Sequence, residues 1–149
     1  LFHHIKYYRK QWLLKLFAPY IKGKAPELLK DIHFDHIIPI PLSRLRMFQR
    51  GFNQASIIAH MLAEVMNISI LSNVVKRRCG IMQARLKRNQ RLTKQRGTFI
   101  IRRANSIEGK AILLVDDIYT TGSTVNECAR ILKEHGACSV SVFTVARTI

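Results

Sequence analysis

The sequence is short of acids, of paired cysteines and of long apolar runs, and each shortage narrows what the protein can be. Only 9 residues of the 149 are Asp or Glu, against 25 Lys and Arg, which leaves a formal charge of +16. A field of that sign favours partners rich in phosphate: nucleic acid, anionic lipid or a polyphosphorylated small molecule. Acids are scarcest between Arg44 and Arg103, where Glu64 stands alone, so the excess charge belongs to the middle of the chain and not to a tail. The 3 cysteines, Cys79, Cys128 and Cys138, are odd in number and contain no CxxC pair. They support neither a disulfide framework nor a cysteine metal site, and they point to reduced thiols in a cytoplasmic protein.

No apolar run approaches the roughly 20 residues of a membrane span, and the opening "LFHHIKYYRKQWLL" is broken by charge too often for a signal peptide. The chain opens on Leu1 and reads as the covered part of a longer protein. No G-x-x-x-x-G-K-[ST] motif is present, because neither Gly23-Lys24 nor Gly109-Lys110 is followed by Ser or Thr or preceded by the required glycine. That argues against a P-loop hydrolase, although "ILLVDD" looks like such an enzyme's magnesium-positioning strand. There is no internal repeat and no low-complexity linker, and 48% hydrophobic content suits one compact domain over residues 1–149.

What is there is a sequence of alternating strand and helix signals. Ile5, Tyr8, Trp12, Leu16 and Tyr20 fall at helical spacing, predicting an amphipathic helix that packs on the domain and ends before Gly23; a basic membrane-surface helix is the alternative. "APELLKD" predicts a second short helix with Pro26 near its first position. "DHIIPIPLS" is a strand closed by Pro39 and Pro41 and followed by a rigid loop. Asn53 caps a helix that carries Ala55, Ile58, Ala59, Leu62 and Val65 on one face and ends near Asn67. "ISIL" and "NVVKR" are short extended segments, and the basic run from Cys79 to Gly97 is an exposed excursion. "TFIIR", "KAILLVD" and "CSVSVFTVA" are strands, with a helix from about Ser123 to His135 between the last two and Gly136 as its C′ residue. Strand, helix, strand occurs twice, so the fold class is α/β with a mostly parallel central sheet flanked by helices.

In such a sheet ligands bind at the carboxyl ends of the strands. The turn Tyr119, Thr120, Thr121, Gly122, Ser123 and Thr124 offers successive backbone N–H groups and hydroxyls at a helix start, which is a phosphate cradle. Thr124 and Glu127 stand in the T-x-x-E relation of a capping box. Just before the turn, Asp116 and Asp117 are two carboxylates at the end of a buried strand, costly unless bound by a metal ion, a basic side chain or the paired hydroxyls of a ribose.

"LLVDDIYTTGST" resembles the phosphoribosyl-pyrophosphate (PRPP) motif of type I phosphoribosyltransferases. "IPIPLSRLRMFQRGFNQASIIAHML" and "KRRCGIMQARLKRNQRLTKQRGTF" are similar to further stretches of the ComF/GntX family, competence-associated members of that fold, so the resemblance runs from Ile37 onward. Gly80 and Lys94 depart from the family's usual Thr and Asn. The resemblance implies that Asp116 and Asp117 hold the ribose hydroxyls, and that Tyr119 to Thr124 wrap the 5′-phosphate. It further implies that Pro41, Leu42, Ser43 and Arg44, with Arg46, Arg50, Lys76 and Arg78, meet the pyrophosphate, one of Lys76, Arg77 and Arg78 facing in. Residues 79–97 would be a flexible hood hinged at Gly80 and Gly97. Magnesium would arrive with PRPP, touching Asp116 and Asp117 at most, and the zinc ribbon of family members is not expected in this region. The implied activity is transfer of phosphoribosyl to an unknown acceptor in connection with competence and DNA uptake. The other implied role is non-catalytic: PRPP or nucleotide sensing, or contact with single-stranded DNA or the competence machinery.

Two checks come from the residues themselves. Between Lys76 and Arg96 there is no Phe, Tyr or Trp to stack on bases, whereas Phe48 and Phe52 lie near Arg46 and Arg50. His33, His36, Asp31 and Asp35 lack a third-ligand pattern and read as surface or strand-end polar contacts, and His60 and Glu64 read as solvent-facing. No residue stands out as a general base.

Overall fold

A computed structural model describes residues 16, 18–78 and 98–147. The basic excursion and the stripe positions Ile5, Tyr8 and Trp12 lie outside the described residues.

Helix α1 spans Ala18–Leu29 and buries Ile21 and Ala25. The sequence predicts a helix end before Gly23 and a new start near Pro26, whereas the described stretch is a single helix running through both. Gly23 does not turn left-handed, so nothing stops the helix there. Pro26 in a helix interior costs about 3 kcal/mol. Burial of Ile21, worth roughly 1.5–3 kcal/mol, together with that of Ala25, offsets this cost. The packing face also differs from the expectation: Leu16 and Tyr20 are exposed, and Ile21 and Ala25 face the core instead.

Strand β1 (His36–Pro39) hands over to helix α2 (Arg44–Arg50) and helix α3 (Gln54–Met66), then to β2 (Ser69–Ile70). A hairpin of β3 (Val75–Arg77) and β4 (Phe99–Ile101) follows; β5 (Ala111–Tyr119), α4 (Ser123–Glu134) and β6 (Ser139–Arg147) complete the described chain. The main sheet is parallel throughout, in the order β2-β1-β5-β6, and β3 pairs with β4 antiparallel in a separate two-stranded sheet. β1 ends at Pro39 and hands over to a loop over residues 40–43, as expected, but the loop is short and gives way to α2: Ser43 caps it, Gly51 ends it at φ 77, and none of its residues is buried. Without an apolar stripe, only these two cap residues signal it in sequence.

β5 is the central strand and is apolar on both sides, as a doubly covered parallel strand must be. Ile112 and Leu114 join one core cluster with Val125, Cys128 and Leu132 of α4 and with Val75 and Phe99 of the hairpin. Leu113 and Val115 join the other, with Ile21 of α1 and Ile58 and Leu62 of α3. At the amino edge Asp35 locks β1 to β5: its amide donates to Ala111 O and its Oδ2 accepts from the Ala111 amide, both at 2.8 Å. His36 Nδ1 and Ser69 Oγ share a hydrogen bond of 2.6 Å. These are the strand-end polar contacts expected for Asp35 and His36, and His60 and Glu64 are exposed as expected.

Candidate functional site

The four apolar residues Ile112 to Val115 deliver β5 to the carboxyl edge of the sheet, where its character changes to acid. Side chains along a strand alternate between faces. Asp116 therefore follows Ile112 and Leu114 onto the α4 face, and Asp117 follows Leu113 and Val115 onto the α3 face. Both carboxylates are half-buried. Asp116 Oδ1 accepts from the Asp117 amide and Asp117 Oδ1 from the Ile118 amide, each at 2.9 Å. The strand does not stop at the acids but runs on to Tyr119.

Beyond β5 the chain reverses through Thr120, Thr121 and Gly122 into α4. Gly122 is the N-cap, left-handed at φ 73, and provides no capping side chain. The capping box expected from Thr124 and Glu127 is not the device that starts this helix: the left-handed glycine begins it earlier, and Thr124 lies inside it. Glu127 is buried and paired instead with Arg130, whose Nε and Nη2 reach its two oxygens at 2.9 Å each. Thr121 Oγ1 lies 2.8 Å from Ser123 Oγ and 3.4 Å from the Ser123 amide. The first amides of any helix have no carbonyl partner within it and sit at the positive end of its dipole, so they favour an anion.

Asp116, Ile118, Tyr119, Thr120, Gly122, Thr124 and Val125 line one cleft holding about 200 Å³ of space open to solvent. Asp117 is not in this lining.

The basic residues divide. On β3, Val75 is buried in the core, so Arg77, two residues on, shares its side and Lys76 does not. Arg77 stacks over Phe99, its cross-strand partner, 5.5 Å from the ring centroid. Burial holds the Arg77 guanidinium below its ordinary pKa; the positive charge of Arg46 adds to the depression and the carboxylate of Asp116 opposes it. Arg46, Arg77 and Asp116 thus share one electrostatic neighbourhood. Of the three candidates Lys76, Arg77 and Arg78, it is Arg77 that faces in, while Arg78 is exposed; the parity of the strand counted from Val75 is the signal that identifies it. Pro41, Leu42 and Ser43 are half-buried on the connection from β1, with Ser43 Oγ accepting from the Arg46 amide at 3.3 Å. Arg44 and Arg46 are exposed on α2, and Arg50 turns to Gln54 Oε1 at 3.2 Å.

On the same face Cys128 is fully buried, and its thiol is pushed up to about 12, first by burial and then by the negative charges of Asp116 and Glu127. It is a packing residue with no thiolate at neutral pH.

Three comparisons bear on this geometry. The phosphoribosyl transferase domain family matches residues 21–148. The competence protein ComFC of Bacillus subtilis is 40% identical over 137 residues, covering 91% of this chain and 54% of that protein. The competence protein F of Haemophilus influenzae is 34% identical over 113 residues, covering 74% and 49%. The chain thus spans about half the length of these relatives. Among solved structures, a purine phosphoribosyltransferase from Pyrococcus horikoshii superimposes with a TM-score of 0.56 at 18% identity, over 87% of this chain and 71% of that one, a likeness of fold.

Proposed function

Because the chain belongs to the phosphoribosyl transferase domain family, in its ComF branch, we propose that it binds PRPP with magnesium at the carboxyl edge. There it would transfer the phosphoribosyl group to a nitrogen nucleophile, as part of the competence for which its relatives are named. The observation that carries this reading is the shared cleft: one carboxylate, Asp116, and the glycine-capped helix start at Gly122 open onto the same space. Asp116 meets ribose hydroxyls, and the amides and hydroxyls from Thr120 to Thr124 meet the 5′-phosphate. Asp117 serves from the neighbouring face. Arg77 and Arg46 meet the diphosphate, with Ser43 and Arg44 at its far end.

Magnesium is bound in such sites by one or two carboxylates plus substrate phosphates, and keeps several waters. Two half-buried carboxylates at the edge, Asp116 and Asp117, fit that pattern, and among the described residues no cluster of three ligands competes for it. When bound, the ion neutralises charge developing on the diphosphate. In the transfer the C1–N bond forms as the C1–O bond breaks, and the electron pair leaves on the diphosphate oxygen. The chain's own residues contribute by holding both ends of the ribose in line and by presenting fixed positive charge from Arg77 and Arg46.

PRPP with magnesium is expected to raise the melting temperature, and the Asp116→Asn, Asp117→Asn double variant is expected to lose that rise; an undiminished rise in the variant removes the ribose assignment. Pyrophosphate release would then be followed over a panel of bases, amines and DNA. Silence across the panel, with binding intact, favours the non-catalytic reading. One observation favours that second reading: Phe48 is 81% exposed among Arg44, Arg46 and Arg50, an arrangement suited to stacking on a base of single-stranded DNA while arginines meet its phosphates. Oligonucleotide affinity that is flat in salt would count against it.

A further inference from the structure

The last rung of the β5–β6 ladder pairs Tyr119 with Arg147. The Arg147 guanidinium lies over the Tyr119 ring, 5.6 Å from its centroid. The far end of the same ring covers Gly122: a Cβ built on that glycine would stand 2.2 Å from Tyr119 Oη and 2.6 Å from Cζ. The ring is therefore gripped between a cation from the neighbouring strand and the left-handed glycine that starts α4. Tyr119 and Gly122 both line the cleft that holds Asp116.

We propose that Arg147 is a positioning residue for the anion-binding turn. Acting through Tyr119, it fixes the wall of the cleft and holds Gly122 in the conformation that presents the α4 amides. Arg147 lies on the surface at the end of β6, outside the turn. A tyrosine at the end of a ladder has more than one staggered well available. A guanidinium over its face selects among them by about two- to fivefold at an exposed site. The same cation also lies one ring's breadth from the turn, so it adds positive potential to a helix start that is already positive. The identity of the anion, a phosphorylated pentose, rests on the function proposed above; the positioning itself does not.

The experiment has two readouts on five proteins: wild type, Arg147→Ala, Arg147→Lys, Tyr119→Ala and the Tyr119→Ala, Arg147→Ala double variant. The first is hydrogen exchange of the Thr121 to Ser123 amides by NMR without ligand; the second is the dissociation constant for ribose 5-phosphate. Arg147→Ala is expected to speed exchange and weaken binding by about two- to fivefold each. Arg147→Lys is expected to recover part of both, and the double variant to be no worse than Tyr119→Ala. Exchange in Arg147→Ala equal to wild type overturns the proposal. So does an Arg147→Ala effect on binding that persists in full when Tyr119 is absent, since that is charge alone. If ribose 5-phosphate fails to bind wild type while the exchange pattern is as expected, the positioning stands and the functional reading falls; binding with unaltered exchange gives the reverse.

Discussion

The two crossover units of the parallel sheet, β1 to β2 and β5 to β6, solve the same problem at their helix starts in opposite ways. After β1 the chain closes its own helices with side chains. Ser43 Oγ accepts from the Arg46 amide at 3.3 Å, Asn53 Oδ1 accepts from the Ala55 amide at 3.1 Å, and Asn53 Nδ2 donates to Ile40 O at 2.9 Å. After β5 the N-cap is a glycine with no side chain to offer, and Thr121 Oγ1 accepts from the Ser123 amide at 3.4 Å. A helix start that the chain has closed for itself has less left for a ligand. Two units with one topology therefore differ in what they leave open, and the open one is the one with a carboxylate in its cleft. The two helix starts thus differ in their N-cap residue, a side-chain acceptor in one unit and a left-handed glycine in the other.

The sharpest way to break this contrast is to put a side chain on the open turn. Gly122→Ala forces alanine into a left-handed conformation, costing about 1–2 kcal/mol, and drives its Cβ into the Tyr119 ring. Denaturant melts should show at least that loss, and affinity for PRPP should fall at least tenfold, because each lost hydrogen bond to a charged group is worth about 1.5–3 kcal/mol. Unchanged affinity in a folded Gly122→Ala protein would mean that the turn is not the anion site. The matching change in the closed unit is Asn53→Ala. Loss of that cap should cost about 1 kcal/mol, or roughly 2–4 °C in melting temperature for a chain of this size, with PRPP affinity unaltered. If Asn53→Ala weakened PRPP binding as much as Gly122→Ala does, the division into an open and a closed unit would collapse.

How far this contrast was legible in the sequence depends on packing. The β5–turn–α4 order was readable because Ile112 to Val115 are apolar without interruption and the glycine stands between strand and helix. Helix α2 was not, because "RLRMFQR" buries nothing and so carries no 3.6-residue stripe. The extent of α1 is not legible because Gly23 and Pro26 are local stop signals, and the burial of Ile21 and Ala25 that overrides them is a tertiary effect. The separation of Asp116 and Asp117 onto two faces follows from strand alternation once the strand is known to run through them to Tyr119. The sequence suggests instead that it ends at the acids. Arg77 was hidden in the same way, by a strand whose inward parity is set by Val75 and cross-strand Phe99. What sequence alone could not reach was which cation faces which carboxylate.

The smallest expected effect lies at the opposite edge of the sheet, where a carboxylate is closed by the chain as thoroughly as the α3 start is. Asp35 ties β1 to β5, and its carboxyl is held below the usual aspartate range. The Ala111 amide hydrogen bond is the main cause and burial opposes it, with Lys110 Nζ at 3.6 Å and His33 Nε2 at 3.7 Å adding to the depression. A carboxyl that is more acidic folded than unfolded contributes stability that is fully present above its unfolded pKa, about 3.9, and drains away as pH falls through the folded value. Wild type should therefore exceed Asp35→Asn in melting temperature by a constant margin above about pH 5, narrowing as pH is lowered towards about pH 2. A margin independent of pH would show that the charge of Asp35 plays no part in holding the two strands. Because this carboxylate is satisfied by the chain and lies away from the cleft, PRPP should leave the width of the margin unchanged.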